Sequence, residues 1–252
     1  MSTSSSRSDV EPDKEDSITG KSIAKYETNW TDKDLSAWQL PNVAKHSIYK
    51  RNGVLNFKTL LGQITKEIDV EFQDDNTFST NLFNKNSLKH YYKLGYNNVH
   101  IGSVQIGIKP LSKVGLNNSM LVCLRDGRIT DYKESIIGLA ESSLTYGPIY
   151  FQCYPNFQIS LKADKHKEKC LVVDVQIHNY KFVKGSSPYK LIYRVHYRIL
   201  SSGFIPSYIP PKIPAGQTIC YNASETVNMM VSIPIPWDRI KFPDTWTKER
   251  VD

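Results

Sequence analysis

The chain has 252 residues, 40% of them hydrophobic, and a formal net charge of +7. That length holds one sizeable β core without requiring two domains, and that hydrophobic share excludes a wholly disordered chain. The charge is uneven: residues 1–34 carry five Lys/Arg against eight Asp/Glu, which leaves +10 on the remainder. A folded body with this surplus attracts polyanions, so nucleic acid and an anionic membrane surface both fit, as does a basic protein with neither partner.

In chain order, residues 1–28 are Ser-rich and then charge-dense, with too few large apolar side chains to offset the entropy of ordering. They predict a disordered tail. Trp30 and Trp38 follow as anchors onto a core. Between Leu55 and Ile68, apolar residues at 57, 60, 61, 64 and 68 have the spacing of one helical face and predict a short helix.

From Asn97 the texture becomes that of strands: Val99–Lys109, closed by Pro110, then Met120–Leu124. Gly102 and Gly107 inside the first of these predict bulges rather than a phosphate loop. Arg125-Asp126-Gly127-Arg128 predicts a tight hairpin with positive φ at Asp-Gly. The interval 131–144 is the place for a second helix. Strands are expected again at Ile149–Tyr154, Phe157–Lys162, Lys169–His178, Lys190–Ser201 and Val227–Ile233, with Lys162–Lys169 as a charged loop. The prolines of 203–216 confine that stretch to an edge, a crossover or a surface strap.

The expected architecture is mainly β: one antiparallel jelly-roll or sandwich domain over 29–233, with one or two short helices. The disordered tail 1–28 precedes it, and an irregular tail at 234–252 follows.

Alternation on Lys190–Leu200 puts Leu191, Tyr193, Val195, Tyr197 and Ile199 on one face. Lys190, Ile192, Arg194, His196, Arg198 and Leu200 share the other. Lys190, Arg194, His196 and Arg198 then form a cationic stripe suited to a phosphate backbone, or else a solvated outer sheet face. Arg125 and Arg128 either close an ion pair with Asp126 or present guanidinium groups to phosphate. In Lys169–His178, Leu171, Val173, Val175 and Ile177 point to the core. Asp174, on the opposite face, holds a basic partner, fixes a loop or stands in solvent. Aromatic residues beside cations, as in Tyr91-Tyr92-Lys93, suit stacking of unpaired bases where the rings are exposed.

Enzyme signals are weak. The six histidines show no H-x-x-x-H spacing, and there is no nucleophile elbow, Walker loop or dinucleotide fingerprint. No catalytic residue, metal ligand or cofactor is therefore predicted. Cys123, Cys153, Cys170 and Cys220 form no CxxC pair and suggest no disulfide framework. Without a basic-then-apolar leader or an apolar run of ~20 residues, the expectation is a soluble intracellular protein.

Several stretches, in order, resemble the thirty-kilodalton superfamily of plant virus movement proteins. They are His100–Ile106, Leu124-Arg125-Asp126-Gly127-Arg128, Gly147–Phe151, Pro155-Asn156-Phe157, Leu171–Val175 and Tyr193–Tyr197. Asp174, inside a hydrophobic strand, matches the superfamily's central aspartate; Leu124, Asp126 and Arg128 match its Leu-x-Asp-x-Arg element. The resemblance implies a jelly roll akin to small capsid proteins, and sequence-independent binding of single-stranded nucleic acid. It further implies localisation at plasmodesmata with cytoplasmic and membrane-associated pools. Implied partners are host plasmodesmal and membrane-associated proteins, the viral coat protein, and further copies of the chain in oligomers or tubules. The alternative is a capsid-like or tubule-forming assembly protein that does not bind nucleic acid. A protein docking its basic face on anionic lipid ranks third, since no basic amphipathic helix is visible.

Overall fold

The computed structural model describes residues 31–50, 58–72, 76–111, 119–143, 147–178, 182–203, 206, 219–222, 242 and 246. Two short helices, α1 (Asp32–Ala37) and α2 (Lys45–Ile48), precede strands β1 (Thr59–Val70) and β2 (Thr77–Asn81). Helix α3 (Lys85–Lys93) leads to β3 (Asn98–Pro110) and β4 (Ser119–Arg125), and the single turn α4 (Tyr132–Ser135) to β5 (Ile136–Ser143). Strands β6 (Ile149–Cys153), β7 (Phe157–Ser160), β8 (Val172–Ile177), β9 (Tyr189–Leu200) and β10 (Ile219–Asn222) follow.

All pairings are antiparallel. One sheet runs β1-β9-β3-β6-β10, with β7 also on β3; the other runs β2-β8-β4-β5. Alternating strands between two sheets in this order is the wiring of a jelly roll. The inward face of each strand supplies the core: Val104, Ile106, Leu191 and Val195 from one sheet meet Val122, Leu124, Val173 and Val175 from the other.

The predicted strands at Val99–Lys109, Met120–Leu124, Ile149–Tyr154, Phe157–Lys162, Lys169–His178 and Lys190–Ser201 correspond to β3, β4, β6, β7, β8 and β9. Lys169 and Cys170, expected to open the strand, lie instead in a 3-10 turn (Lys167–Cys170) before β8. The helix predicted within 55–68 is overturned, because Thr59–Val70 pairs residue by residue with β9. Leu60, Ile64 and Ile68 are four apart, and an even spacing returns to the same face of a strand as well as to one side of a helix. Ile64, Ile68 and Val70 pack on the core from that strand face.

The interval 131–144 divides into the four-residue α4 and β5. The tight Asp-Gly hairpin does not form, and Gly127 is not among the positive-φ residues. Ile129 N donates to Asp126 O at 3.1 Å and Gly127 N to Lys169 O at 2.8 Å, so a turn closes over 126–129 and is tied sideways, and α4 separates it from β5. The tail 1–28, Trp30, the strand Val227–Ile233 and nearly all of 203–216 and 234–252 lie outside the described residues. Among the described residues, no helix is long and apolar enough to cross a membrane.

Residues 31–50 form a strap across the outer face of the larger sheet. A capping box starts α1: Thr31 Oγ1 accepts from Asp34 N at 3.2 Å, and Asp34 Oδ2 from Thr31 N at 3.0 Å. Leu35, Leu40, Ile48 and Tyr49 are all buried. Two glycines of β3 make room. A Cβ on Gly102, the bulge between Ile101 and Ser103, would lie 2.6 Å from the Tyr49 hydroxyl. One on Gly107 would lie 2.8 Å from Leu40 Cδ2 and 2.9 Å from Trp38 Cη2. Gly107 is no bulge; it is a socket. Gly107→Val should therefore overpack the strap and cost about 1–3 kcal/mol, read as a lower urea midpoint at unchanged m-value.

Candidate nucleic-acid interface

Strand β9 alternates as expected, but its second face is closed. Arg194 is 7% exposed, Arg198 5% and His196 0%. Arg194 donates to Pro41 O at 2.5 Å, Leu40 O at 3.4 Å, Gln105 Oε1 at 3.1 Å and Thr65 Oγ1 at 3.3 Å. Arg198 donates to Lys50 O at 2.9 Å and lies 4.8 Å over the Tyr49 ring. Burial pushes both guanidinium groups below their ordinary range. Lys190 is half-buried and pairs with Glu67 at 3.3 Å and Asp69 at 3.6 Å.

The open cationic stripe Lys190–Arg194–His196–Arg198 is thus corrected, and so is its solvated alternative. Strand periodicity separates the two faces of a sheet; it does not reveal that another segment covers the second one.

His100 lies under the same strap, 2.9 Å through Nδ1 from the Tyr49 hydroxyl and 3.1 Å through Nε2 from Asn156 Oδ1. Burial, followed by repulsion from Arg198, holds it below the ordinary 6.5 despite the Asn156 contact. The unfolded chain then binds more protons than the fold. This contribution to stability is complete above about pH 6.5 and is lost as pH falls toward the folded value. Between about pH 7.5 and 5.5 the wild-type melting temperature should fall more than that of His100→Gln.

Arg125 and Arg128 are engaged internally. Asp174 is buried on the outer face of the smaller sheet, opposite Ser79 on β2 and Cys123 on β4. Its Oδ2 receives Arg125 Nε at 2.5 Å and the Tyr132 hydroxyl at 3.3 Å; its Oδ1 receives Ser79 Oγ at 2.5 Å. Arg125 also lies 5.2 Å over the Tyr132 ring. Burial would lower the Arg125 pKa, but Asp174 outweighs it and the net direction is upward. Phe242 and Trp246 stand on the Tyr132 ring at 5.5 and 5.6 Å between centroids.

Arg128 forks onto Asp126 at 2.8 and 2.6 Å and reaches Asp164 at 2.9 Å. Leu124 is fully buried in the core. Of the two readings of this turn, the structure forms the internal ion pairs. Asp174 and Asp126 each have a basic partner beside them, Arg125 and Arg128 respectively.

The exposed cations lie elsewhere. Asn84 caps α3, its Oδ1 accepting from Asn86 N at 2.7 Å. Leu88 turns inward, and the Tyr91 hydroxyl meets that of Tyr197 at 2.9 Å, which seats the helix on β9. Lys85, Lys89 and Lys93, at successive i,i+4 positions, are left exposed on one side. Lys85 reaches Glu168 at 3.8 Å, which brings the helix beside the loop where Lys162, Lys165 and His166 are exposed. Beyond the helix, Lys58 donates to Leu94 O at 2.8 Å and lies 4.8 Å over Tyr96.

Tyr92 is 42% exposed beside these lysines. Carboxylates are sparse: α3 has none, and Asp164 of the loop is already held by Arg128. Tyr91-Tyr92-Lys93 and the charged loop are separately legible in the sequence; α3, and with it their juxtaposition, is not. The signal available was Asn84 as a cap followed by Leu88 and Tyr91 three apart. Among the described residues, no group of three or more His, Cys, Asp or Glu is placed to hold a metal ion.

Among the described residues, these features define a basic jelly-roll protein with an exposed lysine- and tyrosine-bearing surface. The viral movement protein family model matches residues 24–205, and the chain belongs to that family. The movement protein of Soybean chlorotic mottle virus is 25% identical over 194 residues, covering 74% of this chain and 63% of that protein. That of Cauliflower mosaic virus (strain W260) is 28% identical over 191 residues, covering 72% and 57%. That of Carnation etched ring virus is 31% identical over 108 residues, covering 41% and 33%. The chain thus spans less than two thirds of the length of these relatives.

Among solved structures, Turnip yellow mosaic virus matches with a TM-score of 0.40 at 13% identity, covering 65% of this chain and 87% of that one. Cocksfoot mottle virus matches with 0.39 at 12%, covering 60% and 98%.

Proposed function

We propose that this chain binds single-stranded nucleic acid without sequence preference and escorts a viral genome or virion between plant cells through plasmodesmata. The observation that carries the reading is the exposed surface of α3 and the 162–169 loop, where lysines stand beside Tyr92 with few opposing carboxylates. Lysines neutralise phosphates whatever the sequence, and an exposed tyrosine stacks on any unpaired base. Family membership supports the transport role.

In the test, purified protein shifts labelled single-stranded RNA and DNA in a salt-dependent way. A fluorescent fusion expressed in leaf epidermis collects as puncta in the walls between cells. A diffuse fusion from a chain that also fails to shift the probe would contradict the proposal.

The second reading is an assembly protein, and β1 favours it. This 12-residue strand ends its sheet and, among the described residues, pairs with β9 alone. A long edge of this kind is a template for pairing with another chain. A protein that polymerises yet never shifts the probe is the outcome that selects this reading.

A further inference from the structure

Beneath the strap, the larger sheet carries cations at three levels, set by the pairs Lys109↔Lys190, Gln105↔Arg194 and His100↔Arg198. Each level is about 13 Å from the next along the strands. The strap meets them with backbone oxygens. Ser36 O and Trp38 O receive Lys109 Nζ at 2.7 and 3.3 Å, Pro41 O receives Arg194 at 2.5 Å, and Lys50 O receives Arg198 at 2.9 Å. Lys109 also has Glu67 at 3.0 Å. Arg194 is different: among the described residues no carboxylate lies within ion-pair distance, and its four acceptors are all neutral.

A peptide backbone therefore lies along β3 and β9 with carbonyl oxygens on successive cations. A phosphate oxygen adds a Coulombic attraction that a neutral carbonyl lacks, so the cations gain by exchanging carbonyl for phosphate. Burial of Leu35, Leu40, Ile48 and Tyr49 opposes the exchange by holding the strap down.

We propose that the strap 31–50 and a polyphosphate backbone compete for this sheet face, so that the docked strap keeps a second track for single-stranded nucleic acid closed. The inference rests on the nucleic-acid reading above and adds a gated site to it. Because coupling is reciprocal, whatever loosens the strap tightens binding, and bound nucleic acid loosens the strap.

The experiment compares the full chain with Leu40→Ala/Tyr49→Ala, which removes the side chains seated over Gly107 and Gly102. The probe is an oligothymidylate of about 30 nucleotides at about 0.1 M salt. The variant should bind about tenfold more tightly, and adding Arg194→Gln/Arg198→Gln should return it to the wild-type level. Hydrogen exchange of the 31–50 amides monitors the strap.

Fast exchange at unchanged affinity overturns the proposal. If the variant does not fold, the wild-type chain decides: saturating probe should speed exchange across 31–50, and unchanged or stronger protection overturns the proposal. When only this test fails and Lys85→Ala/Lys89→Ala/Lys93→Ala still weakens binding, the helix surface stands and the gated track falls. When neither the wild type nor the strap variant binds at any salt, the nucleic-acid reading falls and takes this inference with it.

Discussion

Asp174→Ala should cost about 3 kcal/mol of folding stability, because it leaves the half-buried Arg125 guanidinium without its counter-charge. Arg125 loses a 2.5 Å ion pair in a place it shares with the Tyr132 ring. Ser79 Oγ and the Tyr132 hydroxyl lose their acceptor in the same step. Arg125→Met in the Asp174→Ala background removes the stranded charge and should return most of the loss, whereas a merely bulky gap would not be mended that way. Urea unfolding of the two variants reads this directly. A loss below about 1 kcal/mol would reduce the pair to the level of a surface ion pair.

This places Asp174 as an internal tie between β8, β4, β2 and the turn at Tyr132, away from α3 and its lysines. A carboxylate also repels phosphate. The folded fraction of Asp174→Ala should therefore bind nucleic acid as well as the wild type or better, while its transport between cells is lost with its stability.

Much of the frame was legible. Alternation in β8 and β9 placed Val173, Val175, Ile177, Leu191, Tyr193, Val195, Tyr197 and Ile199 in the core, and the one acid in an apolar strand marked Asp174 as a residue needing a partner. That the partner is Arg125 was not legible, since it depends on β4 lying beside β8, and register between strands 49 residues apart is set by the whole sheet. β1 was misread because Leu60, Ile64 and Ile68 satisfy both periods.

The strap defeated the reading of Arg194 and Arg198 for a different reason. Its anchors Leu35, Leu40, Ile48 and Tyr49 are dispersed over 15 positions with no regular spacing, so nothing local says that they bury themselves on a polar sheet face. Charged side chains in a strand are ordinarily a sign of solvent. Here backbone carbonyls replace that solvent.

Lys85→Ala/Lys89→Ala/Lys93→Ala should weaken single-stranded nucleic-acid binding by about two orders of magnitude at ~0.1 M salt. The size follows from counterion release. Each neutralised phosphate adds about 0.7 to the salt slope on a single strand, so three lysines contribute about 2. Referred to ~1 M salt, where that term vanishes, this amounts to about a hundredfold. Stability should be nearly untouched, because these side chains are exposed and make at most the weak 3.8 Å pair of Lys85 with Glu168. Tyr92→Ala should add a smaller loss that salt does not change, since stacking releases no counterions.

The decisive measurement is the slope of log binding constant against log salt for oligothymidylate, taken in parallel for the wild type, the α3 triple variant and Arg128→Gln. With α3 and the neighbouring loop as the surface that meets phosphate, the triple variant's slope falls by about 2 and that of Arg128→Gln stays at the wild-type value. A triple variant with an unchanged slope would contradict that claim, and a slope lowered instead by Arg128→Gln would move the contact to the turn at Asp126.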